Sequence, residues 1–182
     1  GYAHHLAQHT AKTLRLAGLS VQELPLAQLT AAMLQQAEQL LLIVSTYGNG
    51  EAPDSARLFV RRVMAQALPL TGLRYGLLAL GSRHYPQFCA FGGELDAWLQ
   101  TQGAQAYFDY IRVDNSDKQA ISLWGNAIAE CAHSQSVMPD AWQESVFSPW
   151  IIHSQQLLNP HSLGAPVYYL QLTPVNLPTE IW

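Results

Sequence analysis

Two tyrosines, each in a glycine-containing loop after an apolar run, are the residues of this sequence best placed to bind an aromatic ligand. Tyr47 follows the apolar run 40–44, and Tyr85 follows the run 75–81. Two aromatic rings on neighbouring loops could hold a planar, polyaromatic molecule between them. Ordinary loop tyrosines that pack on the edge of a sheet are the alternative. The spacing alone leaves both interpretations open.

The loops require buried strands that end at one edge of a sheet. Short, unbroken apolar runs ended by glycine are typical of strands buried on both faces of a parallel sheet. In open α/β sheets, ligands bind beyond the carboxyl ends of such strands. Gly48 and Gly50 would let the backbone approach a ring edge, since glycine accepts a positive φ. A tight turn into the next helix explains these glycines equally well.

Helical and strand patterns alternate up to His133, which predicts a parallel sheet with helices on both faces. Beyond them, residues 134–156 are predicted as a linker and residues 167–175 as one strand without a partner. The predicted strands are 19–24, 39–45, 74–81 and 106–113, and the predicted helices are 2–17, 27–37, 53–67, 89–102 and 117–133. The apolar residues expected to face the sheet are Ala3, Leu6, Ala7, Leu14, Ala56, Phe59, Val60, Val63, Ala67, Leu95, Trp98, Leu99, Ala120, Leu123, Trp124, Ala127, Ile128 and Cys131.

Three segments resemble a known family. Thr46–Asp54 and Leu80–Cys89 are similar to the second and third FMN loops of flavodoxin-like domains, above all those of the diflavin reductases (sulfite reductase flavoproteins and NADPH–haemoprotein reductases). Leu157–Tyr168 resembles the opening of their FAD-binding, connecting region. The resemblance implies a flavodoxin-like three-layer α/β/α sandwich with a parallel sheet over residues 1–135. It also implies a linker over 136–156 and the start of a β-rich FAD-binding or connecting domain over 157–182.

The family pattern also implies a segment that this sequence does not contain. Flavodoxin-like domains open with a strand and a Ser/Thr-rich loop, which receives the FMN phosphate at a helix N-terminus. The present sequence starts with the residues of the first helix, at Tyr2. The first strand is therefore expected to be missing, and we interpret the chain as an internal piece of a longer reductase.

The resemblance implies a set of FMN contacts in the two loops and after the last strand of the sheet. Tyr47 and Tyr85 would lie on either face of the isoalloxazine ring, and Ser82 stands where the family usually has Asp or Asn. Asp114 would either lie near the flavin or cap the helix that starts at Asp117. The expected FMN-binding residues are Ser45, Thr46, Tyr47, Gly48, Asn49, Gly50, Leu80, Gly81, Ser82, His84, Tyr85, Phe88, Cys89 and Asp114.

Some of these residues have plainer explanations. His84 beside Tyr85 could tune the charge at a flavin, or it could be a solvated loop histidine. Cys89 could serve as a small apolar packing residue, because nothing near it in the sequence would make its thiol a nucleophile. His5 and His9 are spaced like two metal ligands on a helix but lack a third ligand, so no metal site is expected.

The implied function is electron transfer. In the diflavin reductases that the sequence resembles, electrons pass from NADPH to FAD, then to FMN, and then singly to a haem or iron–sulfur acceptor. Such an acceptor and the FAD/NADPH domain of the same chain are the expected partners, and this stretch alone is not expected to oxidise NADPH. The rival hypothesis is a flavodoxin-like scaffold that no longer binds flavin and serves in docking. The segment Leu157–Tyr168 disfavours a third hypothesis, a free-standing short-chain flavodoxin.

The composition limits which partners and which cellular location are expected for the protein. The 182 residues are 49% hydrophobic and 12% charged, with a net charge of −4 and no basic run, which disfavours nucleic acid as a partner. No apolar run reaches membrane-spanning length and no signal peptide is evident, so a cytoplasmic location is expected. A membrane anchor elsewhere in a parent protein stays open. The two cysteines, Cys89 and Cys131, form no motif, which favours a reducing compartment.

Overall fold

The computed structural model describes residues 1–132, 150–160 and 167–174. These residues belong to two compact units, the first within residues 1–143 and the second within 144–182. Several sequence predictions fall outside the described residues: the end of the last predicted helix at His133, the predicted linker over 136–149, the family-like residues 161–166, and the last residues of the chain, 175–182.

The first unit is built on a four-stranded parallel sheet. Its strands are β1 (Gln39–Ser45), β2 (Arg74–Gly81), β3 (Gln105–Ala106) and β4 (Ile111–Asp114). Strand β2 is central, because it pairs with β1 along one edge and with both β3 and β4 along the other. Every residue from Tyr75 to Leu80 is buried. This double burial explains why the strand reads as an apolar run without alternation.

Helices cover both faces of this sheet. The helices are α1 (Tyr2–Leu16), α2 (Ala31–Gln36), α3 (Asp54–Phe59), α4 (Ala90–Thr101) and α5 (Lys118–Cys131), with a 3₁₀ turn at Leu26–Gln28 and a π-helical turn at Val60–Met64 after α3. Helices α1 and α5 pack with Leu78 and Leu80 on one face, whereas α2, α3 and α4 pack with Leu77 on the other. Side chains of β2 alternate between the two cores, as a pleated strand requires. The predicted three-layer α/β/α arrangement is confirmed.

The predicted strand at 19–24 is wrong. Two of its backbone groups are used by helix α1: the Leu19 N–H donates to the Leu14 carbonyl (3.0 Å), and the Val21 carbonyl accepts from Arg15 (2.9 Å). The segment therefore does not pair with any strand of the sheet.

The predicted helix at 27–37 is also too long. Its first residues form a 3₁₀ turn, and α2 starts only after Thr30, whose hydroxyl accepts from the Met33 N–H (3.2 Å).

The predicted strand at 106–113 is divided into β3 and β4. Between them, the Phe108 ring packs where a Cβ of Gly76 would stand, 2.9 Å away, and meets the Trp124 ring edge-on at 5.9 Å. Where this ring packs, between β3 and β4, the backbone does not continue the strand pairing with β2.

The predicted helix at 53–67 is likewise divided, into α3 and the π-helical turn. Ala67 and Leu123, both predicted to face the sheet, are exposed.

The second unit contains an antiparallel pair of strands, β5 (Trp150–Leu157) and β6 (Tyr168–Pro174). Residues 150–156, predicted as linker, are therefore strand, and the strand predicted at 167–175 does have a partner. The pair is closed where the Leu158 N–H donates to the Val167 carbonyl (2.8 Å) and the Val167 N–H donates to the Asn159 side chain (2.6 Å). The domain boundaries proposed from the sequence stay predictions.

Candidate functional site

The carboxyl ends of three strands lie side by side at one edge of the sheet. Ser45 at the end of β1 is opposite Leu80, and Gly81 at the end of β2 is opposite Asp114 at the end of β4. Two loops leave this edge: loop 1 (residues 46–53) after β1 and loop 2 (residues 82–89) after β2. Most of the sequence-predicted site residues lie in these loops, and the others end the strands below them.

Loop 1 is a tight turn fixed by its own backbone. The Tyr47 carbonyl accepts from the N–H groups of Gly50 (3.1 Å) and Glu51 (2.9 Å), and the Tyr47 N–H donates to the Glu51 carbonyl (2.9 Å). Gly48 and Gly50 have φ values of +50° and +108°, which glycine adopts without steric cost. The turn thus holds the Tyr47 backbone in place while 68% of the residue stays exposed.

Loop 1 and loop 2 are in direct contact at Gly50. A Cβ on this buried glycine would lie 2.6 Å from the Gln87 Cβ and 3.1 Å from the Ala90 Cβ. Only a residue without a side chain allows this approach. The two predicted tyrosine loops are therefore neighbours in space, and Tyr85 in loop 2 is also largely exposed, at 55%.

Next to Tyr47 lie one buried polar atom and two exposed N–H groups that have no partner in the described protein. The Thr46 hydroxyl oxygen is buried and has no hydrogen-bond partner among the described residues. Within the same part of the chain, the Gly48 and Asn49 N–H groups also make no hydrogen bond. A buried polar atom without a partner is costly, and in native structures it commonly marks the place of a water, ion or ligand. Loop 1 thus offers donors as well as an aromatic ring.

Loop 2 begins with a turn over Ser82–Tyr85. The Tyr85 N–H donates to the Ser82 carbonyl (3.1 Å), and the Ser82 hydroxyl lies 3.1 Å from Nδ1 of His84 and accepts from the His84 N–H (3.3 Å). His84 is exposed. Ser82, the residue that departs from the family pattern, therefore bonds within its own loop.

Asp114 ties the end of β4 to loop 2. One carboxylate oxygen accepts from the Arg83 N–H (3.0 Å) and from the Asn115 side-chain amide (3.0 Å), and the other lies 3.7 Å from the Arg83 guanidinium. The alternative prediction, that Asp114 caps the following helix, is wrong. Asp117 is the cap of α5, since its carboxylate accepts from the Gln119 N–H (2.9 Å).

Cys89 is the last residue of loop 2 and is buried in the protein. It is 1% exposed, has a φ of +57° and donates from its thiol to the Ala79 carbonyl (3.3 Å). Burial raises the pKa of this thiol to about 11, so it is neutral at physiological pH. The thiol lies where a Cβ of Gly81 would be, at 3.0 Å. Leu80 is similarly buried in the core below.

Two of the three histidines of helix α1, His5 and His9, lie close together. The rings of His5 and His9 are 4.3 Å apart, and burial, His5 and Lys12 lower the pKa of His9. In the described part of the chain, no group of three His, Cys, Asp or Glu side chains is arranged to hold a metal ion. Across the same residues, no helix is long and apolar enough to span a membrane.

Gln87 and Asn115 are site residues that the sequence did not reveal. Asn115 has a φ of +54°, and its N–H donates to the Gly81 carbonyl (2.8 Å), which fixes the end of β2 beside β4. The Asp114-Asn115 pair after a strand was a signal for such a turn, because both residues tolerate left-handed backbone. Nothing in the spacing indicated that Asp114 would reach Arg83, 31 residues earlier.

The comparisons with known proteins agree with this geometry. The family model for flavodoxin matches residues 1–124, and the chain therefore belongs to the flavodoxin family. Solved structures with the same fold include a flavodoxin of Streptococcus pneumoniae (TM-score 0.60, 24% identity, 74% of this chain and 89% of that chain). A flavodoxin variant from Pseudomonas aeruginosa is also similar (TM-score 0.59, 27% identity, 72% of this chain and 89% of that chain).

The curated relatives are diflavin reductases. The α-component of the sulfite reductase flavoprotein of Shewanella sp. (strain MR-7) is 34% identical over 125 residues, which are 68% of this chain and 21% of that protein. Methionine synthase reductase of Bos taurus is 46% identical over 79 residues, 42% of this chain and 11% of that protein. The chain thus spans about a fifth or less of the length of these relatives.

The residues present fit an FMN group. A flavin ring has two flat faces and carries carbonyl and ring-nitrogen acceptors along its edges. The exposed rings of Tyr47 and Tyr85 suit the faces, and the unpaired N–H groups of Gly48 and Asn49 suit the acceptors. The buried Thr46 hydroxyl can donate or accept one further hydrogen bond. No feature of the two loops conflicts with such a group.

Proposed function

We propose that this chain is the FMN-binding, electron-transfer domain of an NADPH-dependent diflavin oxidoreductase. The observation that carries the proposal is the contact of two loops, each with an exposed tyrosine, above the carboxyl ends of the sheet. Membership of the flavodoxin family and the diflavin reductase relatives support it. Bound FMN would supply the one-electron and two-electron redox chemistry.

The chain's own residues would bind and orient the flavin. Tyr47 and Tyr85 would cover ring faces and exclude water from them, and the Gly48 and Asn49 N–H groups with Thr46 would hold its polar edges. The Arg83 charge would contribute little to the potential of the site, because Asp114 lies 3.7 Å from its guanidinium.

The proposal extends to partners in the whole protein. Electrons would reach this domain from the FAD/NADPH domain of the same chain and leave it for a haem or iron–sulfur protein. A cytoplasmic location belongs to the proposal and is supported by the free state of Cys89 and Cys131.

FMN titration of the purified chain, followed by quenching of flavin fluorescence, tests the proposal. We expect dissociation constants in the micromolar range or below. Tyr85→Ala and Tyr47→Ala should each weaken binding about tenfold, since stacking on an aromatic ring contributes on the order of 1–3 kcal/mol. The control is Tyr168→Ala, an exposed tyrosine of the second unit, which should leave binding unchanged. Absence of FMN binding by the intact chain would instead favour the non-catalytic scaffold.

A further inference from the structure

The backbone of loop 2 is hydrogen-bonded to a side chain from another strand, that of Asp114. Within loop 2, Ser82 and Tyr85 close a turn through one backbone hydrogen bond of 3.1 Å. The next anchor comes from β4, where the Asp114 carboxylate accepts the Arg83 N–H at 3.0 Å. Arg83 is the second residue of that turn, so the carboxylate fixes the Ser82–Arg83 peptide, two residues before Tyr85.

The same carboxylate also holds the Arg83 side chain. Its other oxygen lies 3.7 Å from Nε of Arg83, and the guanidinium stands 5.1 Å from the centre of the Phe88 ring. Phe88 is near the end of loop 2, and Arg83 is near its start. Asp114, Arg83 and Phe88 therefore form a clamp that joins both ends of the loop to the end of β4.

The carboxylate is itself held in orientation. The Asn115 side-chain amide donates to the same oxygen that accepts from Arg83, at 3.0 Å. The Asn115 N–H is fixed on the Gly81 carbonyl at 2.8 Å. Hydrogen bonds from N–H groups to a carboxylate are among the stronger ones in proteins. The exposed ion pair alone would contribute little, so the backbone hydrogen bond is the main contact of the clamp.

We infer that Asp114 is a positioning residue, which fixes loop 2 and thereby places the Tyr85 ring against the flavin face. This inference rests on the proposed FMN function and replaces a direct flavin contact as the role of Asp114. Its carboxylate already has three partner groups in the protein, whereas the Thr46 hydroxyl and the N–H groups of Gly48 and Asn49 have none among the described residues.

Hydrogen exchange of the flavin-free chain gives the first test. Asp114→Ala should raise amide exchange about tenfold at Arg83, His84 and Tyr85, the hydrogen-bonded amides of the turn, since it removes the acceptor of the Arg83 N–H. The matched control is Asp117→Ala, which removes a carboxylate that also accepts a backbone N–H but lies at the start of α5. It should leave exchange in loop 2 unchanged. Unchanged exchange in Asp114→Ala would overturn the inference, whether or not FMN binds.

FMN binding in a double-mutant cycle gives the second test. Asp114→Ala should weaken binding about tenfold in the wild-type background and have no further effect in Tyr85→Ala, because it acts through that ring. Additive losses would indicate a direct flavin contact and overturn the inference. Asp114→Asn should restore part of the affinity, since its amide oxygen still accepts from Arg83. Failure of the wild-type chain to bind FMN would refute the proposed function, while the exchange result would still decide the ordering of loop 2.

Discussion

Gly50 has no room for a side chain, because Gln87 and Ala90 already occupy the space beside its Cα. Gly48, two residues earlier in the same turn, also has a positive φ but has nothing within 4 Å of the position of a Cβ. The two glycines look alike in the sequence, yet they differ in what they permit. Gly48 permits the turn, and Gly50 permits both the turn and the contact between the loops.

This difference gives the first prediction at the residue scale. Gly50→Ala should lower the free energy of unfolding by about 2 kcal/mol or more, because it adds a clash to an unfavourable φ. Gly48→Ala should cost about 1 kcal/mol, the φ penalty alone. Urea unfolding of the two variants measures the difference. Equal losses would show that the contact between the loops contributes nothing to stability.

The buried thiol of Cys89 gives the second prediction. Its pKa is raised to about 11 in the folded chain by burial, against an ordinary value of 9.0. The unfolded chain therefore loses this proton first, and the stabilisation is complete below pH 9 and is lost as the pH rises towards 11. Urea unfolding at pH 8 and pH 10 should show the wild type losing about 1 kcal/mol more than Cys89→Ala. An identical pH dependence of the two proteins would contradict the assignment.

At the scale of elements, helices α1 and α5 are joined by one buried hydrogen bond. The Trp124 ring is fully buried, and its Nε1 donates to the Thr10 hydroxyl at 2.9 Å. That hydroxyl in turn donates to the Leu6 carbonyl, also at 2.9 Å. Thr13, one turn further along α1, bonds only to the carbonyl of His9. Thr10 and Thr13 therefore offer matched substitution sites, because both bond within α1 but only Thr10 also bonds to α5.

Thr10→Val should lower the free energy of unfolding by about 2 kcal/mol, because it leaves the buried Trp124 N–H without an acceptor. Thr13→Val should change it by less than about 0.5 kcal/mol, since a threonine bonded only to its own helix contributes little. Thermal or urea unfolding of both variants, with Trp124→Phe as a third, measures the effect. An unchanged free energy of unfolding in Thr10→Val would show that the hydrogen bond between Trp124 and Thr10 does not stabilise the packing of α1 on α5.

The elements differ in how well their sequence predicts them. Strands β1 and β2 were predicted to the residue, since each is a largely apolar run with a polar residue at its start and a small residue at its end. The segment 19–24 has no such apolar run, and two of its backbone groups bond to helix α1 instead. Strand 106–113 is interrupted because of Phe108, whose place depends on Gly76 in another strand. The sequence pattern within one segment does not reveal contacts with residues that lie far away in the chain.

The same limit applies to the candidate site. The two tyrosine loops follow from strand ends and glycines, which are local features, and the structure places them in contact. The clamp of Asp114 on Arg83 and the packing of Gly50 on Gln87 join residues that are distant in the sequence, so no spacing rule reveals them. The roles of the individual residues in binding FMN stay predictions.

At the scale of the whole molecule, the two units differ in how their apolar surface is covered. The first buries two clusters on opposite faces of one sheet. The second presents exposed Ile151, Ile152, Tyr169, Leu170 and Leu172 on a two-stranded ribbon. An isolated pair of strands is marginally stable in water. Most of the free energy of unfolding should therefore come from the first unit, where the candidate site lies.

The π-helical turn at Val60–Met64 has a consequence for the length of chain between loop 1 and strand β2. A π-helical turn holds one residue more than the α-helical turn it replaces, because its hydrogen bonds join residues five apart rather than four. The turn begins after Phe59, which stays buried in the core, and Val63 within it is buried as well. Homologous chains can thus differ by one residue at this point and still keep loop 1 and strand β2 in the same places.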